Sequence, residues 1–572
     1  KWFDDGKTNV AYNCIQKNIL IGDGSKIAII SINEKKEIIK ISYQQLSNIV
    51  DHFIEYLLSF KIDRKKTIII HAKASLTSAV SMLACAKLGI THSVIFEELP
   101  KDAILKRIKI LNPGMIISGS NNIKFIKEIK PALKLYRKKI KFFNFSEYFS
   151  NKSFDLNLNY NDVLNKKDIP LSIPYKPIKS NHPLFILFTS GSTGEPKGVI
   201  HSSAPYLLYS KYTCLNQFGL NKSSISLTAS DAGWINGHTY ALYGPLGIGC
   251  TTILMEKPYD LLNVTFLKKI IYDLKITNLY LPVTLIRMMK SLSTEALKFS
   301  KKNNIKTLGS MGEPLASDVA KWLNKSFGKK LPIINTYFQT ETGGIICSPT
   351  FKDNPIEKYG TVGRPINKYL GVFIEKQKLD EKNTIKIKNP WPGCMIGIAN
   401  DKNERWKKYF DNNNNFNLFD FASTDKKKNI LVHGRIDDTI NIRGHRVGSG
   451  EIESEVIKIE KIKEVCAIST PDKLEGERVL IFCTIKKLVK NKIIENQIRE
   501  IIKKNIGTFC LPKKIYFLKD LPKTRSGKIL RRLLKELSLN PHIAYKGDLS
   551  TLINKDLPKQ IRNDIILRNN EK

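Results

Sequence analysis

The sequence predicts an α/β protein of more than one domain, and three observations predict it. Short apolar runs that read as buried strands alternate with stretches of helical periodicity. Several of those runs end in a polar, glycine-containing turn, as strands of a parallel sheet do at their carboxyl ends. The chain has 572 residues, more than one hydrophobic core accommodates, so at least two domains are expected.

Residues 43–58 place Leu46, Ile49, Val50, Phe53, Ile54, Leu57 and Leu58 at helical spacing. "TIIIHA" (67–72) follows as a buried strand, then a helix-like stretch over 76–88 and a strand at "HSVIF" (92–96). Another helix-like piece leads to "GMIISG" (114–119), and the alternation predicts a parallel, doubly wound sheet. Residues 137–182 are polar, lack periodicity and read as surface structure.

"FILFTSGSTGEPKGVIHSS" (185–203) then runs a strand into hydroxyls, glycines and a lysine. Backbone N–H groups freed by glycine, hydroxyl donors and one cation suit a phosphate, although the same composition also makes ordinary turns. The spacing is not that of a P-loop, because the second glycine of that motif would fall on Pro196. Four later runs repeat the strand-then-turn design: "TTILME" (251–256), "ITNLYLPV" (276–283), "IKTLGSMGEP" (305–314) and "LPIINTYFQTETGG" (331–344). The turns after 188, 310 and 338 are therefore expected around one site. "DNNNNFN" (411–417) reads as a polar loop, and by itself Asp420 reads as a turn residue. "HGRIDDTINIRGHRVGSGEIE" (433–453) changes register into an alternating strand and an amphipathic helix. A domain boundary is placed near Ile436–Asp437, giving domains 1–436 and 437–572.

Lys and Arg number 93 against 53 Asp and Glu, a net charge of +40. Such an excess can mark a nucleic-acid or membrane-surface binder. Here the lysines are scattered and form no basic stripe interleaved with aromatics, so a solvated surface is expected and no nucleic-acid partner. The nine cysteines contain no C-x-x-C and fit reduced thiols in a cytoplasmic compartment. No apolar run reaches about 18 residues, so no membrane span is expected. The chain starts at Lys1 without a methionine, which leaves room for a preceding segment and any targeting signal in it.

Four stretches now stand together: TSGSTGEPKG (189–198), GEP (312–314), YFQTETGG (337–344), and GRIDD with GHR and a late TRSGK (434–446, 524–528). In this order the chain resembles the adenylate-forming acyl-CoA synthetases. "SDAGWINGHTYALYGPLGIGCTTILMEKP" (230–258), "WPG" (391–393), "SGKILRRLLKEL" (526–537) and "GDLSTL" (547–552) resemble the acetate-activating branch over nearly the whole chain. The resemblance implies an N-terminal domain of two αβ sheets plus a small distorted β-barrel, and a smaller, mobile α+β C-terminal domain. It implies ATP, Mg²⁺ and CoA as the small molecules used, acetate as the acid, and an oligomeric state left open between monomer and dimer.

It also implies roles. Thr189, Ser190, Gly191, Ser192, Thr193, Gly194 and Lys197 would hold the β- and γ-phosphates, and Glu341 would hold the metal. Thr340 would donate to the α-phosphate, and Lys528 would be the catalytic lysine between two anions. Gly312, Glu313, Pro314, Asn335, Thr336, Tyr337, Phe338 and Gln339 would wall the nucleotide. Asp420 and Arg435 would take the ribose, and Arg446 the phosphate side. Ile235, Asn236, Met311 and Phe338 would form the acyl pocket, Trp234, Arg443 and Gly444 would face CoA, and Asp437 would be the hinge.

The chain departs from that pattern at several places. Phe419 and Phe421 stand where glycines flank the aspartate, Asn335 replaces an aspartate, and Arg443 replaces a serine. Phe338 replaces a tryptophan and deepens the acyl pocket, while Ile235 and Met311 replace valines and refill it; Asn236 replaces a threonine. His201 and His238 are expected to be structural, since no metal-ligand pattern surrounds them. The rival readings are a propionyl- or medium-chain acyl-CoA synthetase, a module loading a carrier protein, an inactive relative, and a basic nucleic-acid binder.

Overall fold

The computed structural model describes residues 2–97, 99, 101–119, 128–136, 140–144, 172–190, 196–293, 297–300, 302–313, 315–328, 331–353, 360–375, 383–402, 404–435, 439–442, 445–472, 476–486, 491–524, 528–543, 545, 549 and 552–570.

The apolar runs become strands because each can bury both faces under helices. Ile68–His71, for example, is buried at all four positions. The first large sheet runs, edge to edge, Gly397–Ile398, Pro196–Ser202, Pro183–Ser190, His92–Ile95, Ile68–His71, Met115–Ser118 and Lys141–Asn144. The second runs Ile333–Asn335, Thr307–Met311, Asn278–Pro282, Ile225–Thr228, Thr251–Met255, Ile27–Ile32 and Ile38–Ser42. Helix Tyr43–Ser59 begins at a capping box in which Ser42 and Gln45 satisfy each other's backbone N–H. Helix Leu76–Leu88 is buried along its length and stops at Gly89 in the left-handed region.

One expectation is corrected. The sheets are mixed, not purely parallel. Pro183–Ser190 is followed by Pro196–Ser202, which pairs with it antiparallel, and Ile38–Ser42 pairs antiparallel with Ile27–Ile32. A five-residue connection is far too short for the crossover that parallel neighbours need. The strand before the glycine-rich loop therefore turns back on itself as a hairpin, where a P-loop would run on into a helix.

Val372–Glu375, Thr384–Ile387, Phe416–Thr424 and Ile430–Arg435 form a smaller antiparallel sheet with its own core around Trp391, Tyr409 and Phe416. Phe416 and Asn417 thus belong to a strand and not to the polar loop expected over 411–417; Asp411 ties that turn by accepting from the backbone N–H of Asn413 and Asn415, both at 2.9 Å. Asp420 lies within the same strand, opposite Arg435 in the ladder. After residues 436–438, which contain the expected boundary and the hinge Asp437 and lie outside the described residues, Thr439–Ile442 joins a separate sheet. That sheet carries helices Ser449–Val456 and Asn491–Asn505 over one core, and Arg531–Leu539 and Leu557–Asn570 over another. No described helix is long and apolar enough to cross a membrane.

Candidate active site

The carboxyl ends of the second sheet bring the motifs together. Asn335, Met311 and Thr228 end strands in that sheet, and the segments 336–344, 312–313 and 229–238 continue from them. The 3₁₀ turn Thr340–Thr342 is fixed from several sides. His201 Nε2 donates to the Thr340 carbonyl at 2.7 Å, the Trp391 indole to the Thr342 carbonyl at 3.0 Å, and the Met395 N–H to the Glu341 carbonyl at 2.9 Å. Gly343 closes the turn at φ 69°, and a Cβ there would stand 2.1 Å from the Gly393 carbonyl oxygen, so only glycine fits.

This turn presents the buried carboxylate of Glu341. Lys197, on the returning strand of the hairpin opposite Thr189, puts its ammonium 3.3 Å from Glu341 Oε1. The Tyr409 hydroxyl donates to the same oxygen at 2.7 Å and accepts a hydrogen bond from Lys197. Ammonium, phenol and carboxylate thus form a closed triangle at the base of the hairpin. Thr189 Oγ1 is buried beside it with no partner among the described residues. Gly191, Ser192, Thr193 and Gly194 lie outside the described residues, as does the side chain of Ser190.

On the next wall, the Tyr337 hydroxyl and the Gln339 amide both donate to Asp420 Oδ2, at 2.5 and 2.6 Å. Phe419 just before it takes φ 54°, a left-handed conformation that glycine adopts freely and an aromatic residue only under strain. The missing glycine therefore does not abolish the local turn; the packing of Phe419 against Tyr409 (ring centroids 5.5 Å) helps to hold it. Asn335 is committed to structure: its amide donates to the Thr361 carbonyl at 2.7 Å and accepts from Ser310 at 3.0 Å. Thr336 bonds the Tyr280 hydroxyl at 2.6 Å and the Ser310 carbonyl at 2.8 Å. Glu313 pairs with Arg287 and accepts from Thr284 at 3.3 Å. Gly312 takes φ 90°, and apart from its chain neighbours no described atom lies within 4 Å of where its Cβ would be, so the backbone at the strand end is open.

Met311 and Phe338 share an apolar cluster with Tyr240, against whose ring Phe338 packs edge-on at 5.9 Å. Ile235 and Asn236 follow Trp234 in the short helix Ile235–His238, and Asn236 reaches Met311. Trp234 packs on Phe96 at 5.0 Å. Lys528 is exposed on a turn closed by Thr524, whose hydroxyl accepts from the Lys528 N–H at 3.1 Å. Pro314, Arg443 and Gly444 lie outside the described residues, as do the side chains of Arg435 and Arg446.

Beneath the site, His92 and His238 stack at 5.7 Å, and Phe185 packs against both of them and against His201. Burial pushes His201 down to about 4 and His238 down to about 3, and holds His92 well below the usual range, so all three are neutral near pH 7. They act as packed hydrogen-bonding groups, as expected for His201 and His238. Sequence reasoning missed His92 and Tyr409. Nothing local marks Tyr409, which sits in "RWKKYF" among lysines, 68 residues from Glu341.

A family model described as AMP-binding enzyme matches residues 22–384, and one described as AMP-binding enzyme C-terminal domain matches 451–528. The chain is 31% identical to an acetyl-coenzyme A synthetase of Leptospira biflexa over 99% of this chain and 89% of that one. It is 30% identical to acetyl-coenzyme A synthetase 1 of Candida glabrata over 99% of this chain and 84% of that one. Among solved structures, an anthranilate CoA ligase in complex with anthranoyl-AMP superposes with a TM-score of 0.76 at 18% identity, covering 92% of this chain and 96% of that one. The acetoacetyl-CoA synthetase of Streptomyces lividans superposes at 0.77 and 16% identity, covering 98% and 87%.

Proposed function

This chain belongs to the AMP-binding enzyme family, and from that premise we propose that it is an acetate–CoA ligase that forms AMP. In the first half-reaction the acetate carboxylate attacks the ATP α-phosphorus and pyrophosphate leaves. In the second the CoA thiol attacks the acetyl carbon and AMP leaves. The observation that carries this reading is the triangle at Glu341, a fixed carboxylate and a fixed ammonium at the base of a glycine-rich hairpin.

Lys197 and the hydroxyls of Thr189 and Ser190 would hold the phosphates, stabilising charge on the departing pyrophosphate. The Thr189 hydroxyl, which has no partner among the described residues, supports that assignment. No cluster of three metal-ligating side chains occurs among the described residues, and a single carboxylate suits a cation that arrives on phosphates. Glu341 would hold Mg²⁺, which supplies charge neutralisation on the triphosphate. Thr340 would donate to the α-phosphate, and Asp420, oriented by Tyr337 and Gln339, would accept from the ribose. Lys528 would bring a cation between the carboxylate and the α-phosphate, and the domains 1–436 and 437–572 would turn about Asp437 between half-reactions.

Acetate is supported by the names of the relatives, and Ile235 and Met311 would refill the space that Phe338 leaves. A methylene is worth about 1–3 kcal/mol in such a pocket, so propionate should follow within about two orders of magnitude. Acetate with ATP and Mg²⁺ should support pyrophosphate exchange without CoA, and thioester and AMP should appear once CoA is added. Production of ADP, or no exchange with any short acid, would sink the proposal.

A further inference from the structure

Among the described residues, the acyl side of the site contains a polar group without a match. Asn236 is only 9% exposed. Its amide nitrogen donates to the Met311 sulfur at 2.7 Å, and thioether sulfur is a weak acceptor. Its carbonyl oxygen is buried with no hydrogen-bond partner among the described residues. Exchanging the amide oxygen and nitrogen does not help, since one end still faces sulfur and the other still lacks a partner. A buried polar atom left in this way calls for a donor or acceptor from outside the chain.

The surroundings decide which kind. Met311 ends its strand directly before the open Gly312, and Met311 and Phe338 with Tyr240 form an apolar lining. An ammonium group there would bring a charge into an apolar wall, whereas a neutral hydroxyl can donate to the amide oxygen and accept from the amide nitrogen. We infer that this pocket discriminates among short acids by a hydroxyl: an acid larger than acetate is accepted better when the added atom is a hydroxyl than when it is a methyl, and Asn236 reads it. This deepens the acid-activating reading above and rests on it.

Isosteric pairs test the inference. Pyrophosphate exchange is measured with glycolate against propionate and with 3-hydroxypropionate against butyrate, and kcat/KM is compared within each pair. The wild-type chain should favour the hydroxyl acid by about tenfold or more in at least one pair, since a site built to bond a hydroxyl discriminates strongly against its absence. Asn236→Leu should move that ratio toward the methyl acid by about tenfold, and Asn236→Thr, which replaces the amide by a hydroxyl and so keeps a polar partner, should move it less. Because each ratio is internal to one protein, general loss of activity cancels. A wild-type preference for the methyl acid in both pairs overturns the inference even if Asn236→Leu does not fold, and so does a ratio that Asn236→Leu leaves unchanged. Exchange with no acid at all would instead remove the ligase reading on which it stands.

Discussion

Glu341 and Lys528 are assigned to one reaction but are built in opposite ways. Glu341 is buried on a short turn whose three carbonyls are each held by a separate donor, and its carboxylate is bonded by Tyr409 and paired with Lys197. Lys528 is exposed on a turn of the smaller C-terminal unit. The difference teaches where rigidity belongs. A group that must receive the same phosphate-bound cation each time gains from a fixed position, because no reorganisation is then required. A cation needed in only one of two half-reactions gains from standing on an element that can leave.

The largest effect should come from the exposed member. Lys528→Ala should reduce adenylation by about 10²–10⁴-fold. It should spare thioester formation from supplied acetyl-adenylate, because the proposed mechanism gives the lysine a role in the first half-reaction only. Equal losses in both half-reactions would erase the contrast. On the fixed side a smaller, more selective loss is expected. Tyr409→Phe keeps the ring stacked on Phe416 and removes two hydrogen bonds to charged groups, the one donated to Glu341 and the one accepted from Lys197, a change of roughly tenfold or more in affinity. Calorimetry should find weaker binding of a magnesium-bound, non-hydrolysable ATP analogue and unchanged binding of AMP. If AMP weakens equally, Tyr409 merely packs.

The smallest effect is on stability and probes the support beneath the fixed side. His92, His201 and His238 are neutral when folded, while an unfolded chain takes up protons on them near pH 6.5. Their contribution is complete above about 6.5 and declines as pH falls toward about 4. Glu256, pushed by burial up to about 7, acts in the other direction with one proton, since its contribution is lost as pH rises through that value. Among these four groups three protons stand against one, so their joint contribution falls with acid, by at most about 1.4 kcal/mol per pH unit for each net proton. Denaturant unfolding at pH 7 and pH 5.5 should show the lower value at pH 5.5, and equal or greater stability there would contradict it.

The sequence by itself determined several of the strands and helices and which turns gather at the ends of the second sheet. The run at residues 67–72 became Ile68–His71, the stretch at 76–88 became helix Leu76–Leu88, and the turns after strands ending at Met311 and Asn335 meet Glu341 and Asp420 in one region. These features are legible because they depend on periodicity and turn chemistry within a few residues. The tertiary structure alone decided the Lys197–Tyr409–Glu341 triangle, the stack of His92 on His238, and the unmatched amide of Asn236 beside Met311. Their partners lie far apart in the chain, 212 residues for Lys197 and Tyr409 and 75 for Asn236 and Met311. Such contacts are set by how the sheets pack, and no local spacing records them. A lysine, a tyrosine or an asparagine acquires its particular task only when packing removes water from around it and leaves one neighbour, or none, to bond.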